Sequence, residues 1–536
     1  MTGAAEAVAG PAPEAETAEN PRLAILLAMA MFVLVVDTSI MNVSISAVVR
    51  DLGTTVSDVQ AAIALEALVS AAFILLSSKI GDLIGRRLAY VLGLLGYAVG
   101  AIAMTLAQSV LPIIIFWAVI GGLGASLLLP AMQSLIHGNF EGAYQRRVYA
   151  MVGAAAAIAA AIGPLLGGFI TTFLSWRVAF ALEAVVIAIV LSGIRLVKDV
   201  PYTGKREIDG VGGILSIIGM GGVVIGILAW QEGGERVLLL LVVGAIGLVS
   251  LATWLVRRKR DGKAALIDPD LFKSMVFRYG ISGQMLQQIA LGGMMIVLPI
   301  YLQMVFEYNA LQAGLSIAPL SLSMFAVALL AGRRAGNRRS SVIIRAGFAL
   351  LSIGAVLILP IVPRADSGVW LLIPLLIAGS GLGLLVSQLN NYTLAPIDAE
   401  HVSEAAGVNS AAGSFGLSFG LAVAGAIMLA TLAFSFTQLS TSSTILTGDE
   451  QQQVATALEH DAQIMSNTAL QEQIAGQPEA TQAEILRIND QARETSLQIA
   501  LLIPILAGVL GFANAFRMVR APEPIPSGAA EGLLAG

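Results

Sequence analysis

The chain has 536 residues, of which 57% are hydrophobic and 12% charged, and its mean hydropathy is +0.84. About 25% of the residues of a soluble globular protein are charged, because its surface faces water, so this composition excludes a soluble multidomain protein. The net charge of −5 is too small to indicate a nucleic-acid partner. The absence of cysteine excludes disulfides and thiolate chemistry, and three scattered histidines argue against a bound metal.

Fourteen apolar segments are each long enough to cross about 30 Å of hydrocarbon as a helix. Their approximate limits are residues 23–49, 57–78, 88–108, 110–136, 148–174, 178–197, 212–230, 237–256, 277–304, 312–331, 341–362, 368–389, 405–433 and 496–518. This pattern predicts an all-α, polytopic membrane protein. Residues 1–21, which are rich in glutamate, alanine and proline, are expected to form a disordered tail, and residues 521–536 a second tail.

The distribution of lysine and arginine predicts the orientation of these spans. Most of the 30 basic residues lie near the chain ends or in the loops that enter odd-numbered spans. Basic loops remain on the cytoplasmic side of a membrane. We therefore expect a multi-pass protein of the cell membrane (inner or plasma membrane), with both termini in the cytoplasm.

Span spacing divides the chain into two similar halves. Residues 22–198 are predicted to form an N-terminal six-helix bundle, and residues 199–260 a linker with an extra two-helix hairpin. Residues 261–520 are predicted to form a second six-helix bundle. Two six-helix halves suggest internal duplication, which is common in secondary transporters.

An acidic loop, residues 434–495, interrupts the second half on the outer side, and its second part, residues 451–498, looks helical. We favour a solvated cap that extends the last two spans over a docking site for a partner.

Two carboxylic acids lie near the middle of apolar spans, Asp37 in the first span and Glu66 in the second. An ionisable side chain in hydrocarbon is costly and is therefore a functional candidate. Burial and a nearby like charge both favour the neutral form of a carboxyl group. We hypothesise that Asp37 and Glu66 carry a coupling proton. The alternative is that they are buried acids satisfied by neighbouring hydroxyls and amides.

Polar residues mark the expected walls of a cavity. At 100° per residue, Ser39 and Asn42 share one face of the first span, and Asp37 lies nearly opposite. This helix is therefore expected to be enclosed by protein or to line a water-filled cavity. The residues predicted to line a substrate cavity are Ser39, Asn42, Glu183, Gln284 and Gln288. The glutamines could instead join neighbouring helices through hydrogen bonds.

The short loop after the second span carries charge and glycine. Asp82 can pair with an arginine or a helix N-terminus, Gly85 permits a tight turn, and Arg86 and Arg87 are expected on the cytoplasmic face. Residues 78–87 resemble motif A of the major facilitator superfamily, with Ser78 in place of its first glycine. In that family the loop latches the two halves while the cavity faces outward. The resemblance thus implies a conformational latch at Asp82, Gly85, Arg86 and Arg87.

Further matches extend over nearly the whole chain. Residues 36–43 look like the first-span motif of fourteen-span drug:proton antiporters, and residues 298–303 match the ninth-span region. The antiporter motif C is similar to the stretch that contains Gly163, Pro164, Gly167 and Gly168. Motif B normally supplies a membrane-embedded arginine, whereas Ala118 stands at that position. The chain is thus identified as resembling the fourteen-span branch of the superfamily.

This resemblance implies a major facilitator fold and a proton-coupled antiporter that exports lipophilic small molecules, cationic ones among them, by alternating access. The expected partners are that substrate, protons and the lipid bilayer, with no cofactor, no metal and a monomeric state. No phosphate-binding P-loop pattern occurs, which disfavours transport driven by ATP, and no nucleophile–base set indicates an enzyme. The alternatives are a lipid or envelope-precursor exporter of the same fold and a membrane sensor that uses the loop 434–495.

Overall fold

The computed structural model describes residues 20–199, 209–231, 236–334, 339–397, 401–446, 451 and 467–521. Within these ranges all regular secondary structure is helical, which confirms the all-α class. Residues 1–19 and 522–536 of the expected tails, and residues 200–208 of the linker, lie outside the described ranges.

The helices that serve as spans follow the predicted order. They are α1 (Pro21–Leu52), α2 (Val56–Ile84), α3 (Arg86–Leu106), α4 (Val110–Asn139), α5 (Gly142–Phe173), α6 (Trp176–Ser192), α7 (Gly210–Gln231), α8 (Val237–Arg260), α9 (Met275–Met304), α10 (Ala310–Arg334), α11 (Ser340–Ile361), α12 (Leu372–Leu394), α13 (Val402–Thr441), the short α14 (Asn467–Ile474), α15 (Glu479–Ala500) and α16 (Leu502–Arg520). Helices α1 to α13 and the continuous pair α15–α16 supply 14 candidate membrane spans in the described chain, as predicted.

Side-chain caps and a glycine define the turn between the first two helices. Helix α1 ends at Gly53, whose φ of 61° is the left-handed conformation that glycine adopts at no steric cost. Helix α2 begins with a capping box, in which Thr55 Oγ1 accepts from the Asp58 amide at 3.1 Å and Asp58 accepts from the Thr55 amide at 3.2 Å. The tight turn makes α1 and α2 antiparallel neighbours.

The two six-helix bundles repeat one set of helix contacts. In the first bundle α1 packs on α5 and α6, α2 on α4, and α3 on α4 and α6. In the second bundle α9 packs on α13 and α16, α10 on α12, and α11 on α12 and α16. The pairs correspond if α9–α13 and α16 are counted as the first to sixth helices of the second bundle. This correspondence is what duplication of a six-helix unit would produce.

The bundles meet along two seams, α2 with α13 and α5 with α10. We call the side of the molecule at which α1 begins the amino-terminal face, and the side at which α1 ends the opposite face. Ser418 of α13 donates to the carbonyl oxygen of Ala64 at 2.6 Å, which joins α2 to α13 at mid-depth. Gln303 of α9 donates to the carbonyl oxygen of Val43 at 3.2 Å, nearer the opposite face.

The extra hairpin, α7 and α8, lies outside the two bundles. Helix α7 contacts both α2 and α13, so it covers one of the two seams. The buried carboxylate of Asp209 accepts from the amides of Gly212 at 2.9 Å and Leu266 at 3.1 Å and from Trp254 Nε1 at 2.9 Å. One carboxylate therefore ties the start of α7 to the end of α8.

The described part of the loop 434–495 forms a helical cap at the opposite face. Helix α13 has 40 residues, about 60 Å at 1.5 Å per residue, so it extends well beyond the hydrocarbon. Its end packs with α14 and α15 around Phe436 and Ile488. Arg493 donates to the carbonyl oxygen of Met304 at 2.7 Å, and Gln498 to that of Leu359 at 2.9 Å, which attach the cap to α9 and α11. The helical character predicted for this segment is confirmed in α14 and α15, whereas residues 452–466 lie outside the described chain.

The seam between α5 and α10 generates a first prediction. A side chain on Gly168 would place its first carbon 2.5 Å from the carbonyl oxygen of Ala310 and 2.8 Å from Cα of Leu311. Because backbone atoms cannot move aside cheaply, we expect Gly168→Ala to lower the free energy of unfolding by about 1–3 kcal/mol. Thermal unfolding in detergent would measure the loss.

The matched control is Gly153→Ala in the same helix, since no atom of the described chain lies within 4 Å of the added carbon. It should match the wild type or be slightly more stable, because alanine favours the helix. Equal melting temperatures for Gly168→Ala and Gly153→Ala would contradict the tight seam.

Candidate functional site

A cavity of about 320 Å³ lies between the two bundles. Its polar lining residues are Thr38, Ser39, Asn42, Glu66, Ser70, Gln288, Ser321 and Ser414, and Leu34, Leu291, Met295 and Met324 are among its apolar ones. Both bundles contribute, through α1, α2, α4 and α5 on one side and α9, α10 and α13 on the other. The mobile, polarisable side chains of methionine suit a wall that adapts to different shapes.

Among the described residues that line this cavity, Glu66 is the one ionisable side chain. Its side chain is 7% exposed and comes from the middle of α2. Ser39, Asn42 and Gln288 also line the cavity, in agreement with the expectation from sequence. The buried carbonyl oxygens of the Asn42 and Gln288 amides have no hydrogen-bond partner among the described residues. The wall therefore offers one carboxyl group to a molecule in the cavity, and two amide oxygens are buried close to it without partners among the described residues.

Asp37 lies on the face of α1 that points away from the cavity. Its side chain is 0% exposed and is absent from the cavity lining. Tyr97 of α3 donates its hydroxyl to Oδ2 at 2.6 Å, and Trp117 of α4 donates its indole N–H to the same oxygen at 3.0 Å. Both donors are neutral, and Ala118, at the position of the family's motif B arginine, is fully buried. The carboxyl group is thus held by hydrogen bonds, with no paired cation among the residues that the structure describes.

Local helix geometry directs Trp117 towards Asp37. Residues Ile113–Gly121 of α4 form a π-helical stretch directly after Pro112. Such stretches are rare and are frequent at functional sites, because they redirect side chains relative to an α-helix. The indole ring packs edge-on against Phe180 of α6, with ring centroids 6.4 Å apart. The sequence interpretation missed Tyr97 and Trp117, although both are aromatic residues with a polar hydrogen in apolar spans.

Two residues expected in the cavity lie elsewhere. Glu183 of α6 is 4% exposed and is not among the residues that line the cavity, so its expected position is wrong. It is buried on the side of α1 that carries Asp37, with which it interacts electrostatically. Gln284 is also absent from the lining, because its amide is turned to α13, where Nε2 would lie 3.3 Å from a carbon added to Gly413.

The motif A residues form a compact turn at the amino-terminal face. Asp82 and Arg86 form an ion pair, and Arg86 also donates to the carbonyl oxygen of Ser78 at 3.4 Å. Gly85 has a φ of 97°, which favours glycine, and a side chain there would meet Asp199 Oδ2 at 2.7 Å. Asp199 accepts from the backbone amide of Arg87 at 3.0 Å, so the segment after α6 caps the start of α3.

The motif C residues bring α5 close to two helices. Side chains on Gly163 and Gly167 would place a carbon 2.5 Å from Ser39 Cβ and 2.8 Å from Ile40 Cα, so these glycines permit the close approach of α1. Gly168 does the same for the start of α10, and the carbonyl of Pro164 contacts Gly314. Motif C therefore joins α1 of the first bundle to α10 of the second.

The Asp37 hydrogen bonds generate a second prediction. Tyr97→Phe removes the 2.6 Å donor and leaves a buried carboxyl oxygen less satisfied, so we expect the free energy of unfolding to fall by about 1–3 kcal/mol. The control is Tyr90→Phe, because the buried Tyr90 hydroxyl has no hydrogen-bond partner among the described residues. Thermal unfolding of both variants in detergent is the measurement. A loss of stability no larger for Tyr97→Phe than for Tyr90→Phe would refute the assigned hydrogen bond.

Several solved structures share the fold. A peptide transporter POT in complex with sulfate superimposes with a TM-score of 0.58 at 14% identity, over 94% of this chain and 96% of the other. A bacterial homologue of the human lysosomal transporter Spinster gives a TM-score of 0.58 at 13% identity, over 93% and 97%. At these identities the likeness concerns the fold alone.

Several relatives match the sequence over most of the chain. The probable actinorhodin transporter of Streptomyces coelicolor is 25% identical, over 79% of this chain and 76% of the relative. Multidrug resistance protein Stp of Mycobacterium tuberculosis is 27% identical, over 76% and 75%. The puromycin resistance protein pur8 of Streptomyces alboniger is 28% identical, over 75% and 80%.

The profile of the Major Facilitator Superfamily matches residues 27–421. This match covers the first bundle, the extra hairpin and most of the second bundle. The chain is a multi-pass membrane protein and belongs to the major facilitator superfamily.

Proposed function

We propose that the protein is a proton-coupled antiporter that exports lipophilic small molecules, including cationic drugs, by alternating access. The observation that carries this proposal is the cavity between the bundles, where Glu66 is the one ionisable residue of the described lining and most of the remaining surface is apolar. A lipophilic cation fits such a site, because the apolar walls bind its body and a carboxylate its charge. Relatives named as multidrug resistance and puromycin resistance proteins support the same function.

The proposed location is the cell membrane, with the amino-terminal face in the cytoplasm and the protein a monomer. Basic residues at this face support the orientation, among them Lys79, Arg86 and the run Arg257–Arg260 at the end of α8. The acidic cap formed by α13, α14 and α15 would then lie outside the cell. Motif A would act at the cytoplasmic face, where its Asp82–Arg86 pair is tied to the segment after α6.

Exchange at Glu66 explains the coupling. A carboxyl group holds either a proton or the positive charge of a substrate, so loading one disfavours the other. When the cavity faces outward, a proton would displace the substrate from Glu66; when it faces the cytoplasm, substrate would displace the proton. Asp37, which is closed off from the cavity by α1 in this conformation, would be the second coupling acid. Ser39, Asn42 and Gln288 would contact the substrate.

The two alternative functions receive less support. Export of lipids or envelope precursors would use the same fold, but the named relatives favour export of antibiotics and other drugs. A sensor function would place the signal in the outer cap, yet the cavity and its buried acid belong to the bundles. Assignment as a transporter and not an enzyme follows the family.

A transport assay with the lipophilic cation ethidium tests the proposal. In proteoliposomes with an imposed pH gradient, we expect ethidium movement to require the gradient and to fall at least tenfold in Glu66→Gln and in Asp37→Asn, because neither amide can carry the proton. The control is Glu141→Gln, since Glu141 is exposed at the amino-terminal face. Gradient-driven transport at the wild-type rate by both acid variants would overturn the assignment.

A further inference from the structure

We propose that Glu183 and Asp37 together hold one transported proton, at a site that α1 separates from the substrate cavity. This inference rests on the proposed proton-coupled export and adds to it Glu183, which lies outside the substrate cavity. It also makes Glu183 part of the proton site instead of the substrate site.

The register of α1 against α6 brings the two acids to the same level. These helices run antiparallel and are in contact. Near the amino-terminal face, the Leu26 side chain fills the space beside Gly193, just after α6. Asp37 lies eleven residues after Leu26 along α1, and Glu183 lies ten residues before Gly193 along α6. Both carboxyl groups are therefore at one depth in the first bundle, and they interact electrostatically.

The site contains acids and neutral donors. The titratable groups that act on Asp37 or Glu183 in the described chain are Tyr97 of α3 and Glu66 of α2. Helix α4 contributes the neutral Trp117. Arg177, on the same helix as Glu183, is engaged with Asp51 at the opposite face. The site thus has no described cation that could balance two negative charges.

The hydrogen bonds distinguish the two acids. Asp37 accepts from both Tyr97 and Trp117, which suits a carboxylate. Glu183 Oε1 is buried without a hydrogen-bond partner among the described residues. An unpartnered buried oxygen is much less costly on a neutral acid than on an anion. We assign the proton in this conformation to Glu183 and the negative charge to Asp37.

The position of the Asp37–Glu183 pair implies how its protonation affects the cavity. One face of α1 bears Asp37, and the other bears Ser39 and Asn42, which line the cavity. A change of charge at Asp37 alters its hold on α3 and α4, and α1 carries that change to the cavity wall and to Gly163 of motif C. At this site the proton and the substrate do not compete directly, in contrast to Glu66.

Infrared titration of the carboxyl groups in purified protein tests the pair without any substrate. The Glu183 signal is the part of the protonated-carboxyl band that Glu183→Gln removes. We expect its titration midpoint to shift by about one pH unit or more when Asp37→Asn is introduced, because two coupled acids titrate as a pair. Glu141→Gln, at an exposed position, should leave that midpoint in place. If Glu183→Gln fails to fold, Glu183→Asp replaces it and should move the signal without abolishing it.

Two outcomes would overturn the inference: no part of the carboxyl band depends on Glu183, or its midpoint is the same with and without Asp37. Since no substrate is present, a failure of ethidium transport would count against the proposed function and would leave this result unaffected. Conversely, if transport is normal but Glu183 titrates independently of Asp37, the proposed proton pair is refuted and the proposed antiporter function still stands.

Discussion

The cost of placing a carboxyl group in the apolar interior of a helical bundle governs this structure. Water normally satisfies such a group, and its loss must be offset by hydrogen bonds or by a bound proton. Asp37 meets this requirement through Tyr97 and Trp117, which come from two other helices. Trp117 lies in the π-helical stretch of α4, and α3, which carries Tyr97, packs closely on α4 where Gly93 and Gly124 meet.

Helix α1 connects the features that the function requires. One face of α1 carries Asp37, the other face lines the cavity, and Ser39 and Ile40 lie against Gly163 and Gly167 of motif C. Motif C in turn contacts α10 of the second bundle through Pro164 and Gly168. In the proposed mechanism, a proton, a substrate and the seam between the bundles would all act on this one helix, which would give a physical basis for coupling without a membrane-embedded arginine at Ala118.

Much of the fold could be predicted, because span length and the alternation of basic loops are properties of local sequence. The 14 spans and the two faces of α1 follow from apolar length and from the 100° helical period. The partners of Asp37 could not be predicted, since they depend on which helices neighbour α1 and on a π-helical stretch that has no periodic signature. Glu183 and Gln284 were assigned to the cavity as polar side chains in apolar spans, and polarity does not specify the direction in which a helix face points.

Release of protons on substrate binding tests the central claim, that buried carboxyl groups exchange a proton for a substrate. Purified protein in weakly buffered detergent solution would be mixed with ethidium, and a pH-sensitive dye would report the released protons. The account predicts release by the wild type and its loss in Glu66→Gln, with ethidium binding still detectable. Ethidium binding by the wild type without any proton release would contradict the account.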